Sequence, residues 1–134
     1  MRLLTIAGLV ALSSSAAAFA QSKPAGDVAR GQSVYEAKCA MCHGSGRKTT
    51  AIAPTLAGIA GRKSASISGF PYSSALKRAN LTWDVDTVQR FLTAPSKLVP
   101  GTKMPIALPN SKDRADVIAY LWSSPATVPA AKNR

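Results

Sequence analysis

Cys39-Ala40-Met41-Cys42-His43 decides how the rest of the 134-residue chain is read. Two thiols three positions apart, on one helical turn, can each add to one vinyl group along a haem edge. The histidine that follows then lies under the ring, with a nitrogen in reach of the iron. The stretch also holds the whole supply of cysteine and histidine in the chain. A zinc site asks for about four such ligands, and only three exist. A thioredoxin-like pair asks for a βαβ setting, whereas the flanks read as helix and then loop. A disulfide across two residues is possible but leaves His43 without a task. The motif points to one covalent haem c per chain, with His43 as its proximal ligand.

A second axial ligand follows from inventory. Methionine is the other common soft ligand in electron-transfer haems. Met1 belongs to the N-terminal leader, and Met41 sits inside the attachment motif on the proximal side. That leaves Met104, in Pro100-Gly101-Thr102-Lys103-Met104-Pro105, a loop stiffened by proline at both ends. The alternative at this point is a buried core methionine, with the iron five-coordinate or bound by a lysine.

Residues 1–20 read as a signal peptide: Arg2, an apolar run over 3–12, and Ala18-Phe19-Ala20 before a cleavage point at Gln21. The competing reading is an uncleaved anchor. Ser13, Ser14 and Ser15 interrupt the run well short of the ~20 residues a span needs. Residues 21–25 are then a short extension, 26–124 one domain, and 125–134 a flexible tail. Export points to the periplasm. It argues against nucleic acid as the partner of a chain with 17 Lys+Arg against 6 Asp+Glu.

The domain reads as all-α. One helix is expected from an Asp27 cap through the motif to Gly44, with Val28, Gly31, Val34 and Tyr35 on one face. Another is expected from about Asp84 to Thr93, with Val85, Val88, Phe91 and Leu92 inward and Pro95 as its stop. A third opens at Pro109-Asn110 and buries Val117, Ile118, Tyr120 and Leu121 before Pro125. A short helical turn is expected at 73–79, and no strand pairs. Residues 44–72 are rich in Gly, Ser, Thr and Ala without periodicity. A loop that long needs something to wrap, and haem supplies it. The haem-free chain is therefore expected to be largely unfolded.

From about Gly26 to Ser123 the chain resembles a class I c-type cytochrome, the small soluble monohaem kind that includes mitochondrial and bacterial carriers. Beyond the attachment motif, the resemblance is carried by Gly58-Ile59-Ala60-Gly61-Arg62-Lys63, Gly69-Phe70-Pro71-Tyr72-Ser73, Leu81-Thr82-Trp83, Val99-Pro100-Gly101-Thr102-Lys103-Met104 and the segment 114–121, in the family's order. It implies the cytochrome c fold, with three main helices, short helical turns and long loops wrapped around one covalent haem. It implies Met104 as the second iron ligand. Pro54 resembles the proline whose carbonyl accepts the His43 ring proton. Arg62, Tyr72 and Trp83 resemble the residues that hold the haem propionates. Thr102 resembles a hydroxyl supporting the methionine side. Gly31 and Tyr35 resemble residues that pack on the last helix at Val117 and Tyr120. Ala53, Phe91, Ile106 and Leu108 depart from the family's usual glycine, tyrosine, aromatic and glycine.

The implied function is single-electron transfer in a respiratory chain, by a monomer rather than an enzyme. Lys38, Arg47 and Lys48 flank one haem anchor, and Lys97 and Lys103 flank the other. Such a basic ring suits acidic docking surfaces on membrane or periplasmic redox proteins: an oxidase, a cytochrome bc complex or a dehydrogenase. Weak contact with an anionic membrane surface is the competing use of the charge. Two other functions stay open here: the haem subunit of a periplasmic dehydrogenase, and a peroxidase or gas-binding protein with a labile distal ligand.

Overall fold

Six helices carry the chain in the computed structural model, which describes residues 23–45 and 48–124. The expected signal peptide, residues 21 and 22, Arg47 and the expected tail lie outside the described residues. The helices are α1 (Val28–Lys38), α2 (Ala40–His43), α3 (Ser74–Ala79), α4 (Val85–Thr93), α5 (Pro95–Leu98) and α6 (Ser111–Ser123). Four of them begin at a side chain that accepts an otherwise unpaired backbone N–H. Asp27 accepts from Arg30, Ser73 from Leu76, Asp84 from Thr87 and Asn110 from Asp113.

The structure corrects the sequence reading in three places. The N-terminal helix is not continuous to Gly44. It stops at Cys39, where φ is −116°, and a fresh turn, α2, carries Cys42 and His43. The break brings both thiols and the imidazole onto one cavity. Second, Pro95 does more than stop α4. That helix ends at Thr93, and Pro95 opens α5, where its fixed φ and missing N–H suit the first helical position. Third, Val28 is 41% exposed, on the flank of the face that Gly31 and Tyr35 form. One isolated antiparallel bridge joins Lys63 to Thr82 without forming a strand. Ser64 N–H donates to Leu81 and Trp83 N–H to Arg62, both at 2.8 Å, pinning the long loop beside Trp83.

The core sits where α1, α4 and α6 meet. Val88, Phe91 and Leu92 from α4 pack with Val117, Ile118 and Leu121 from α6. Helix α1 crosses α6 at Gly31, where backbones approach so closely that a Cβ would stand 2.5 Å from the Asp116 carbonyl carbon and 3.0 Å from Tyr120 Cβ. One turn on, the Tyr35 and Tyr120 rings meet at 5.3 Å between centroids. Asp116 is buried beside this crossing. Its carboxylate accepts the Asp27 N–H at 2.9 Å, Lys112 Nζ at 3.0 Å and the Arg30 guanidinium. The described residues of 44–73 contain no helix, and Leu56 and Ile59 among them pack on the core.

Candidate haem site

Cys39 closes α1 and Cys42 and His43 lie in α2, so one short turn presents all three. Both cysteines are free and partly buried. Burial, with a lesser contribution from Cys42, pushes the Cys39 thiol up to about 11, so it is a neutral thiol at ordinary pH. The His43 Nδ1–H donates to the Pro54 carbonyl at 2.7 Å. A carbonyl can only accept, so the proton is on Nδ1 and Nε2 is left with its lone pair. Burial lowers the His43 pKa, outweighing the opposite pull of that hydrogen bond. A neutral imidazole with a fixed tautomer is the form a metal takes.

Met104 reaches the same cavity from the loop between α5 and α6, packed against the core. Its N–H donates to Thr102 Oγ1 at 3.3 Å, and the Thr102 N–H donates to Val99 at 3.0 Å. The hydroxyl expected on the methionine side is thus bonded to the methionine's own backbone. Met41, by contrast, is 89% exposed and points away from any ligand role.

The cavity these residues share holds about 320 Å³. Its walls are mainly apolar, with Leu56, Ile59, Trp83, Phe91, Leu92 and Val117 among them. Pro54, Arg62, Tyr72 and Thr102 also line it, so every residue singled out as touching the cofactor is brought together. Arg62 donates to the carbonyls of Ala57 at 3.0 Å and Thr55 at 2.9 Å. Burial lowers its pKa and raises that of Tyr72. A large apolar hollow with two thiols, one oriented imidazole and one thioether matches a covalently tethered haem in shape and donor chemistry. No three His, Cys, Asp or Glu side chains gather into a metal-binding group among the described residues.

The basic residues divide. Lys38 and Lys103 are exposed and line the cavity, whereas Lys48 and Lys97 are exposed but stand off it. Lys63 also lines it and went unnoticed in the sequence as a surface charge, although the Arg62-Lys63 pair was a signal. Thr50 was missed too. Its hydroxyl touches the carbonyl next to His43, and only a Thr ahead of a tight turn could have hinted at it. The departures from the family pattern fall at buried Ala53, Phe91 and Leu108 and at Ile106, 46% exposed. Phe91 meets Trp83 edge-on at 5.1 Å and so serves packing.

Fold and site define an all-α domain closed around a covalently anchored haem. The family model for cytochrome c matches residues 28–125. The chain is 49% identical to cytochrome c2 of Rhodoblastus acidophilus over 100 residues, 72% of this chain and 92% of that protein. It is 44% identical to cytochrome c of Chlamydomonas reinhardtii over 108 residues, 77% of this chain and 94% of that one. Among solved structures it is similar to cytochrome cH from Methylobacterium extorquens, with a TM-score of 0.67 and 37% identity, covering 72% of this chain and 98% of that one. The chain belongs to the cytochrome c family. It carries one covalent haem c, for which Cys39 and Cys42 provide the attachment motif. It is an electron carrier that works with partner redox proteins, not an enzyme.

Proposed function

We propose that His43 and Met104 are the two axial ligands, and that the chain shuttles electrons between periplasmic or membrane redox proteins. The observation that carries this is the pairing of His43, oriented by Pro54 at 2.7 Å, with Met104 on one apolar cavity. When bound, haem supplies one iron that exchanges a single electron between ferrous and ferric states.

The chain's own residues make that exchange easy. Two protein ligands keep the site closed, so little rearranges when charge changes. The Pro54 carbonyl holds the imidazole by its far nitrogen, and Thr102 braces the Met104 backbone. A thioether favours the ferrous state relative to a second imidazole, and the apolar walls disfavour added positive charge. Arg62 and Tyr72 put polar groups on a mainly apolar wall, suited to the haem propionates.

Lys38, Lys63 and Lys103 surround the cavity with exposed positive charge. These cations suit acidic docking surfaces on the partners. The reading of residues 1–20 as a signal peptide is what supports export to the periplasm. No helix among the described residues is long and apolar enough to cross a membrane. Reduced, haem-bearing protein should pass its electron to ferricyanide at a rate that falls steeply as ionic strength rises from 0.01 to 0.5 M, roughly where the screening length drops from 30 Å towards 4 Å. A rate indifferent to salt would remove the docking role of these lysines.

A further inference from the structure

The Thr50 hydroxyl joins two parts of the proximal side that the chain leaves far apart. It donates to the Cys42 carbonyl, the peptide that leads into His43, at 2.5 Å. It accepts the Ala53 N–H at 3.0 Å and the Ile52 N–H at 3.2 Å. The Ala53 carbonyl accepts the Thr50 N–H at 3.0 Å and also lies 3.1 Å from the hydroxyl, so the single hydroxyl proton goes to the nearer Cys42 carbonyl. Ala53 is followed at once by Pro54, whose carbonyl takes the His43 Nδ1 proton. A closed ring results: imidazole, Pro54, Ala53, Thr50, the Cys42 carbonyl, and back to His43.

Among the described residues, loss of the hydroxyl would leave the imidazole bond as the hydrogen bond that ties His43 to this turn. The segment between them is poorly suited to set that distance. It begins at Gly44, with φ of 69°, a conformation that only glycine adopts freely. The strength of the Nδ1–H bond matters for redox chemistry, because a firmer bond makes the imidazole more basic and favours ferric iron. We propose that Thr50 is a positioning residue: its hydroxyl sets the His43–Pro54 hydrogen bond and so holds the reduction potential below the value a free loop would give. The inference rests on the reading of His43 as the axial ligand.

Tyr35 provides an internal control. Its hydroxyl donates to the Gly44 carbonyl at 2.6 Å, on the other side of His43, and burial keeps the phenol protonated by pushing it up to about 12. It has no hydrogen bond to the 50–54 turn, so losing it loosens the segment without touching the ring. The experiment uses haem-bearing wild type, Thr50→Val, Thr50→Ser and Tyr35→Phe. It reads the His43 Nδ1 proton by NMR, its exchange with solvent, and the equilibrium potential. Thr50→Val should speed that exchange about tenfold, the weight of one hydrogen bond, and raise the potential. Thr50→Ser should restore both, and Tyr35→Phe should lower stability while leaving both in place. The proposal is overturned if Thr50→Val changes neither, or if Tyr35→Phe changes them equally. If ferric wild type shows no hyperfine-shifted imidazole N–H, the ligation reading itself falls and this inference with it.

Discussion

Asp116 concentrates more charge than any other buried residue. Its carboxylate is held at about 2, first by the Asp27 N–H and then by Lys112 and Arg30, against the opposing cost of burial. A depressed carboxylate pKa contributes stability that is complete above the unfolded value near 4 and is lost as pH falls towards the folded value. Acid unfolding should therefore steepen between about pH 4 and 2. Asp116→Asn should lower the thermal midpoint at neutral pH and flatten that acid limb, as followed by circular dichroism across pH. An unchanged acid limb would mean that other groups govern it. At this scale the sequence was informative where chemistry is scarce. One histidine, two cysteines and one methionine in a rigid loop left little choice of ligands. Thr50 was silent because its partners are backbone groups, which every residue has, and Asp116 because Asp27 and Arg30 lie 89 and 86 residues away in sequence.

At the scale of helices, the α1–α6 crossing carries the energetic weight. Gly31→Ala gains up to about 1 kcal/mol in helix propensity but drives a methyl into the Asp116 backbone. Backbone cannot step aside as a side-chain tip can. The clash should win, at a net cost upwards of about 2 kcal/mol by denaturant unfolding of the haem-bearing protein. A neutral or stabilising Gly31→Ala would show that the helices can part. Both outer helices, the helix at 85–93 and the turn near 74 were legible from caps and apolar spacing. The break at Cys39 was not, because nothing in a run of good helix formers announces that three haem-facing side chains must turn to one side. The fresh start at Pro95 was half visible: a proline ends one helix and suits the opening of another, and sequence alone offered the first reading only.

Across the whole molecule, a long unpatterned loop is stable because there is something for it to cover. The cavity of about 320 Å³ is walled by the same side chains that form the core. Emptying it would cost on the order of 8 kcal/mol at ~24 cal/mol per Å³, comparable to the entire stability of a domain this size. Chain expressed without haem attachment, as with Cys39→Ala and Cys42→Ala together, should show no cooperative thermal transition by calorimetry. A sharp transition would mean that the helices fold independently of the cofactor. The residue types already implied the absence of a self-sufficient core. How 44–73 closes, through the Lys63–Thr82 bridge and the Arg62 bonds to Ala57 and Thr55, depended on contacts far apart in sequence.

The most direct measurement is the optical spectrum of the ferric, mature, haem-bearing protein at neutral pH. Sulfur from Met104 on low-spin ferric iron should give a weak band at the red edge, and Met104→Ala should abolish it. A high-spin spectrum without that band would contradict His43/Met104 ligation and a closed electron-transfer site.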